Sequence, residues 1–400
     1  MLVIDGDGHV AEPYSVWTDY LEAEHYPRFH HAIGPTGIEE LVVEDRVQTM
    51  VVRGSAHLRE GQPARVSMGD AITPRGIVAG AAQNRRFDEG HPGGFDPVAR
   101  LEVHDAEGID AAVLFPTVGL FIGSVRDPRV AVAASGALNR WLSDYCAVAP
   151  DELYGVATLP VQDPVEAAAE LRRCVDRHGF VAGSFRPSPD MDGVPLADRP
   201  LDPVWDAAQE LGVPICLHSG APAGFQTLIS KGRVRSPVIS HVTDHAYEQM
   251  LAFGGLYETA IFERFPGLRI GFMESSAGWA PWWLDRLDEH VEMFGWTLPS
   301  EVKRSPSEVF RDQCVVGGEG EELMVGYVQE QLGDDKVLWA SDFPHFDCHL
   351  PGLVSPALER TDLDPRQRAA FLGGAAGAFY GLDVDRIRGA RQRRLTTAPA

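Results

Sequence analysis

The 400-residue chain carries a formal net charge of −23 and a hydrophobic fraction of 44 %, which allows a sizeable buried core and argues against a nucleic-acid partner, since that would favour a basic face. The five cysteines (Cys146, Cys174, Cys216, Cys314 and Cys348) are scattered and lack a Cys-x-x-Cys pair, so neither a disulfide framework nor a zinc ribbon is expected. No run reaches the roughly 20 apolar residues of a membrane span, and Met1-Leu-Val-Ile-Asp5 lacks a basic leader, so a cytoplasmic protein with no membrane partner is expected.

Short runs rich in Val, Ile and Leu alternate with longer helical patterns along the chain. The runs fall at 2–9, 111–117, 154–160, 181–187, 214–220, 269–275, 314–318 and 337–342, and read as strands buried on both faces. Helices are expected over 127–147, 163–178, 202–211, 244–265, 280–294 and 321–332, with Asp-Pro starts and Gly179, Gly212 and Gly333 as stops. Such alternation predicts an α/β fold, a (β/α)8 TIM barrel, spanning 1–382. Residues from 13 to about 100 break the alternation and read as a long insertion after strand one, a lid or a contact in a possible homodimer. A C-terminal extension over 383–400 carries the basic run Arg386 to Arg394, read as a solvated or packing tail.

Barrel enzymes place their chemistry at the carboxyl ends of the strands. Strand one ends Asp5-Gly-Asp7-Gly-His9-Val-Ala-Glu12; alternation puts Asp5, Asp7 and His9 on one face, where a carboxylate and an imidazole can chelate one ion. The plainer reading is an Asp-Gly turn with a capping histidine. His218 ends strand five, and a buried core histidine is its plainer reading. Glu274 and Asp342 follow the apolar runs of strands six and eight, with His345 just beyond, and a charge there needs a partner or a metal. His241 and His245 lie four apart on one helical face, with capping and packing as the alternative. Each signal is weak alone, but their joint placement at strands one, five, six and eight predicts a metal.

Asp7-x-His9, His218 and Ser341-Asp342-Phe-Pro-His345 resemble the amidohydrolase superfamily, in particular the amidohydrolase-related branch that includes aminocarboxymuconate semialdehyde decarboxylase. Phe262-Glu-Arg-Phe-Pro-Gly-Leu-Arg269, Glu274-Ser-Ser-Ala-Gly-Trp279-Ala-Pro281, His245-Ala-Tyr-Glu-Gln249 and the closing Phe379-Tyr-Gly-Leu382 carry the same resemblance. Three features depart from it. Asp7-x-His9 replaces a His-x-His or Glu-x-His opening, Glu274 stands where many relatives have a histidine, and no Lys lies near a strand end to bridge a dizinc site; the only lysines are Lys231, Lys303 and Lys336. The acidic and His-rich pattern is similar to a subset of TIM-barrel non-heme diiron monooxygenases, of the platensimycin and platencin biosynthesis type. That resemblance implies two Fe ions, O2, an electron donor and a small apolar, terpenoid-like substrate. Asp7, His9, His218 and Asp342 would complete one site, and Glu12, His241, His245, Glu274 and His345 supply another. The alternative is non-oxidative decarboxylation or hydrolysis at one Zn or Mn ion, with Asp342 as ligand or general base and His241 or His245 as its acid–base partner. In either case Arg186, at the end of strand four, is a candidate for gripping a substrate carboxylate.

Overall fold

The computed structural model describes residues 1–34, 39–49, 51–54, 64–67, 90–187, 196–219, 229–230, 232–234, 237–345 and 348–397. Eight strands form one sheet in sequential order: β1 (Ile4–Val10), β2 (Ala111–Pro116), β3 (Leu153–Thr158), β4 (Ala182–Phe185), β5 (Ile215–His218), β6 (Ile270–Met273), β7 (Cys314–Gly318) and β8 (Val337–Trp339). Every paired neighbour is parallel. The cylinder closes just past β8, where Asp342 N donates to Asp7 O (3.1 Å) and His9 N donates to Phe343 O (2.8 Å). All eight expected strands are present.

The helices include α1 (Pro97–Glu107), α2 (Pro128–Cys146), α3 (Pro164–His178), α4 (Asp202–Leu211), α5 (Pro237–Glu258), α6 (Trp279–Phe294), α7 (Val325–Leu332), α8 (Ala375–Tyr380) and α9 (Val384–Thr397), with further helices, among them Pro306–Gln313, and turns between. Asp96, Asp127 and Asp163 each accept from backbone N–H groups of the following helix, and proline holds its first turn. Helix α1 therefore begins inside the stretch expected to be insertion, which ends before Asp96 rather than near 100. Helix α5 begins at Pro237 instead of 244, so His241 and His245 lie inside it; it stops at Glu258 because Ala260 turns left-handed (φ 56°). Helix α7 starts at Val325, not 321.

Strand alternation divides the core. Ala111, Val113 and Phe115 of β2 point into the barrel with Ile4, Met273 and Leu338, whereas Ala112 and Leu114 face the helices. Phe379 and Tyr380 of α8 pack against the interior cluster. Helix α9 lies at the amino-terminal end of the strands. There Arg394 pairs with Asp105 and Glu152 and Arg391 with Asp110, so the basic tail is a packed extension. The insertion holds an antiparallel sheet of Phe29–Ile33, Glu39–Val43 and Arg46–Thr49, and a paired Val51–Gly54 and Ala64–Ser67. Glu44 fastens that sheet to the start of α2, accepting from Arg126 N (3.2 Å), Asp127 N (2.9 Å), Arg28 and Arg46. The expected stretch over 68–89 lies outside the described residues.

Candidate metal centre

Strand β1 carries one residue too many for its neighbour. Asp5 is level with Ala112 but Gly8 with Leu114, so a bulge lies between them. The bulge breaks the alternation that would put Asp5, Asp7 and His9 on one face. Asp5 turns aside: its carboxylate accepts from Ser341 N (3.0 Å) and Ser341 Oγ (2.5 Å), with the Arg100 guanidinium 3.9 Å away. Asp7 and His9 instead meet His218. A side chain on Gly8 would collide with Asp5 and Arg100, its ideal Cβ falling 2.4 and 2.6 Å from them. Arg100, wholly buried, donates to His9 O (2.6 Å) and Phe343 O (3.3 Å), tying β1 to the segment after β8.

Among the described residues, three sets of side chains bring their ligand atoms within 4.8 Å of one another: Asp7, His9 and His218; His9, Asp342 and His345; and His241, His245 and Glu274. His9 joins the first two sets. Its Nε2 lies 3.7 Å from Asp7 Oδ1 and 3.3 Å from Asp342 Oδ1. His218 joins the first and third, with Nε2 3.2 Å from Asp7 Oδ1 and Nδ1 3.3 Å from Glu274 Oε2. His245 Nε2 is 3.6 Å from Glu274 Oε1, and its ring stacks on His241.

The tautomers follow from the partners, because a carbonyl oxygen only accepts. His9 donates Nδ1–H to Pro116 O (3.0 Å), His218 to Ser219 O (2.7 Å) and His245 to His241 O (2.7 Å). All three thus turn Nε2 toward a carboxylate, the arrangement of histidines that bind metal and are oriented from behind. His345 is reversed. Thr117 Oγ1 donates to Val10 O (2.7 Å), so it accepts Nε2–H from His345 (2.8 Å), leaving Nδ1 2.7 Å from Asp342 Oδ1.

Burial pushes the His9 imidazole well below its ordinary pKa, and the neighbouring His345 and His218 add to this, so His9 is neutral. A neutral ring then aims a lone pair at two carboxylates, and Nε2 makes no hydrogen bond among the described residues. Such a contact is repulsive unless a cation sits between the atoms. Ligands at 2.0–2.2 Å from a tetrahedral ion lie about 3.3–3.6 Å apart, close to the spacing here, and mixed carboxylate and imidazole donors suit zinc, manganese or iron. The residues therefore fit a divalent metal. Burial lowers His218, but Asp7 and Glu274 outweigh it and lift the group to about 9. Burial likewise opposes ionisation of Glu274, yet His245, His218 and His345 hold it well below the carboxylate range. Glu274 and Asp342 also hold left-handed backbone (φ 49° and 53°), a conformation that costs a non-glycine residue stability and recurs at functional sites.

Glu12 is not gathered with the ligands. Its carboxylate accepts from Thr117 N (3.2 Å), Val118 N (2.8 Å) and Gly119 N (2.9 Å), so both oxygens are engaged in holding the turn after β2. The expectation of Glu12 as a ligand is corrected accordingly: four residues past the bulge, it reaches backbone rather than the cluster. Burial raises it to about 7 against those three bonds. Arg186 is buried directly beyond β4, at the same end of the barrel. Trp279 is buried and donates to Ser275 Oγ (3.2 Å), while Trp282 is exposed.

Sequence reasoning missed Thr117, Arg100 and Gln249, although signals for them existed. Thr117 ends the expected second strand, and Asp96-Pro97 repeats the start signal of the recognised helices, which would have placed Arg100 on α1. Gln249 continues the four-residue spacing of His241 and His245.

Known proteins share this fold. The amidohydrolase family model matches residues 4–382. The gamma-resorcylate decarboxylase of Rhodococcus jostii (strain RHA1) is 28 % identical over 257 residues, 61 % of this chain and 76 % of the relative. Among solved structures, an amidohydrolase from Mycobacterium avium subsp. paratuberculosis K-10 superposes with TM-score 0.75 at 21 % identity, covering 95 % of this chain and 99 % of the other. A dihydroxybenzoic acid decarboxylase from Polaromonas sp. JS666, with bound manganese and 2-nitroresorcinol, gives TM-score 0.64 at 21 % identity over 81 % and 98 % of the two chains. Two of these carry a decarboxylase's name and none an oxygenase's, which sets aside the oxygenase as the leading expectation. The fold and the matched family model together make the chain a member of the amidohydrolase family.

Proposed function

We propose that the chain is a divalent-metal-dependent lyase that removes CO2 from a small aromatic or unsaturated carboxylic acid without oxidation. The observation that carries this is the neutral His9 imidazole, anchored at Nδ1 and aimed between Asp7 and Asp342, with His218 completing the set. The likeness to gamma-resorcylate decarboxylase supports the reaction class. Asp7, His9, His218 and Asp342 would hold the ion, and a manganese-bound relative makes Mn the first metal to test, with Zn beside it. Bound there, a cation supplies Lewis-acid polarisation of a substrate oxygen.

The chain's own residues do the rest. Arg186, at the rim, holds the carboxylate that departs. The carboxylate carbon leaves as CO2, the electron pair of the broken C–C bond stays on the ring carbon, and a proton replaces it. His345 holds that proton on Nδ1, beside Asp342, while Thr117 fixes the far side of the ring.

One observation favours a second reading. The His241, His245 and Glu274 group adjoins the first through the His218–Glu274 contact, enough ligands for a second ion. Two Fe ions there would suit O2 activation and hydroxylation of an apolar, terpenoid-like substrate, with an external electron donor.

Protein loaded with Mn2+, Zn2+ or Fe2+ and incubated anaerobically with hydroxybenzoates separates the two. CO2 release dependent on metal and not on O2 supports the lyase. No CO2 from any of them, two irons per chain and reductant-dependent O2 uptake would replace it with the oxygenase.

A further inference from the structure

Gln249 is wholly buried on α5 and lies four residues beyond His245 and eight beyond His241, on the same face of the helix. Its side-chain amide donates Nε2–H to Leu217 O (2.7 Å) and Met273 O (3.0 Å), and reaches Ser219 Oγ (3.0 Å). Leu217 directly precedes His218, and Met273 directly precedes Glu274. Ser219 Oγ in turn donates to His245 O (3.3 Å). One amide thus touches the backbone next to two candidate ligands and is linked to a third.

The β5–β6 ladder runs out at this point. Its last paired residues are His218 and Met273, and Ser219 N reaches Met273 O only at 3.5 Å before Glu274 turns left-handed. Gln249 ties the two strand ends where ladder bonds cease. The amide orientation is fixed, because both main-chain carbonyls only accept. That leaves Gln249 Oε1 buried with no hydrogen bond among the described residues. An unpartnered buried oxygen lowers stability, and a methionine would fill similar space without that penalty. What the amide alone contributes is direction.

We infer that Gln249 is a positioning residue of the metal centre, setting the separation of His218 from Glu274 and tying both to the helix that carries His241 and His245. The inference rests on the metal reading proposed above.

The test is Co2+ titration of the full chain by chelator competition and visible absorption, for wild type, Gln249→Met and Gln313→Met. Gln313 is the matched control: it too is buried and donates Nε2–H to two main-chain carbonyls, Phe265 O (3.0 Å) and Leu268 O (2.9 Å), and none of the ligand sets includes it. Removing an outer partner of a metal ligand typically weakens affinity about 10–100-fold. Gln249→Met should lose Co2+ affinity in that range and change the visible spectrum. Gln313→Met should lower the thermal midpoint and leave affinity and spectrum alone. Wild-type affinity and spectrum in Gln249→Met, or equal loss in both variants, would overturn the inference. Should Gln249→Met fail to fold, Gln249→Asn replaces it, since it keeps an amide but draws it back one methylene from Leu217 O and Met273 O; wild-type affinity and spectrum there overturn the inference equally. A wild-type chain that takes up no Co2+ defeats the metal reading itself and is read separately.

Discussion

Metal binding to this chain should compete with a proton on His218. In the metal-free protein burial lowers this imidazole, but Asp7 and Glu274 outweigh it and raise it to about 9. Nδ1–H is committed to Ser219 O, so the titrating proton sits on Nε2, 3.2 Å from Asp7 Oδ1. That is the atom a cation needs. Below a pKa of about 9, each ion bound should release one proton, so affinity rises about tenfold for each unit of pH. From about pH 6.5 to about pH 8.5 the dissociation constant should fall about 100-fold, or about 2.7 kcal/mol. Titration calorimetry with Mn2+ under argon, in two buffers of different ionisation enthalpy, reads both the slope and the proton count. The metal-free protein has the opposite sign. A folded pKa of about 9 above the ordinary 6.5 contributes stability fully present below 6.5 and lost as pH rises through 9. That contribution is on the order of 3 kcal/mol. Affinity that stays flat across this range, or binding that releases no proton, would show that Asp7 and Glu274 do not hold His218 protonated, and the electrostatic account of the site would fail.

Other outcomes follow from the same contacts. Metal at about 100 times its dissociation constant stabilises a folded chain by about 2.7 kcal/mol, about 3 °C for a protein of this size, so wild type should gain that in a thermal scan while His9→Ala gains nothing. Glu12→Gln leaves one of the backbone N–H groups of Thr117 to Gly119 facing an amide NH2; it should cost about 2 kcal/mol in denaturant unfolding and leave metal content unchanged. Glu44→Ala removes the fastening of the insertion sheet, and hydrogen exchange across Phe29–Ile33 and Glu39–Val43 should quicken while α9 keeps its protection. Arg394→Ala strands the buried Glu152 at the opposite end of the barrel; about 3 kcal/mol of stability should be lost with turnover unaltered at assay temperature.

The barrel was legible because its strands are buried on both faces and stand out as apolar runs, and because Asp-Pro starts and glycine stops bracket most of the helices. The rule that chemistry gathers at the carboxyl ends of strands selected Asp7, His9, His218, Glu274, Asp342 and His345, and the fold brings these together. Glu12 escaped that rule, since nothing in a linear sequence says whether a carboxylate will meet a cation or a turn of backbone N–H groups. The bulge in β1 was equally hidden: it shifts Asp5 off the face that strict alternation assigns, and only pairing with β2 reveals the extra residue. The roles of Arg100 and Gln249 were hidden for a related reason. The Asp96-Pro97 start and the four-residue spacing from His241 and His245 could place them on their helices, but both act on main-chain carbonyls of distant residues, and spacing does not reveal that role.

Anomalous diffraction from crystals grown with Mn2+ tests the central claim most directly. The account predicts a peak bound by Asp7, His9, His218 and Asp342, at about 2.0–2.3 Å from His9 Nε2. A well-ordered site with no anomalous peak among these four side chains, in crystals whose protein binds Mn2+ elsewhere or not at all, would contradict it.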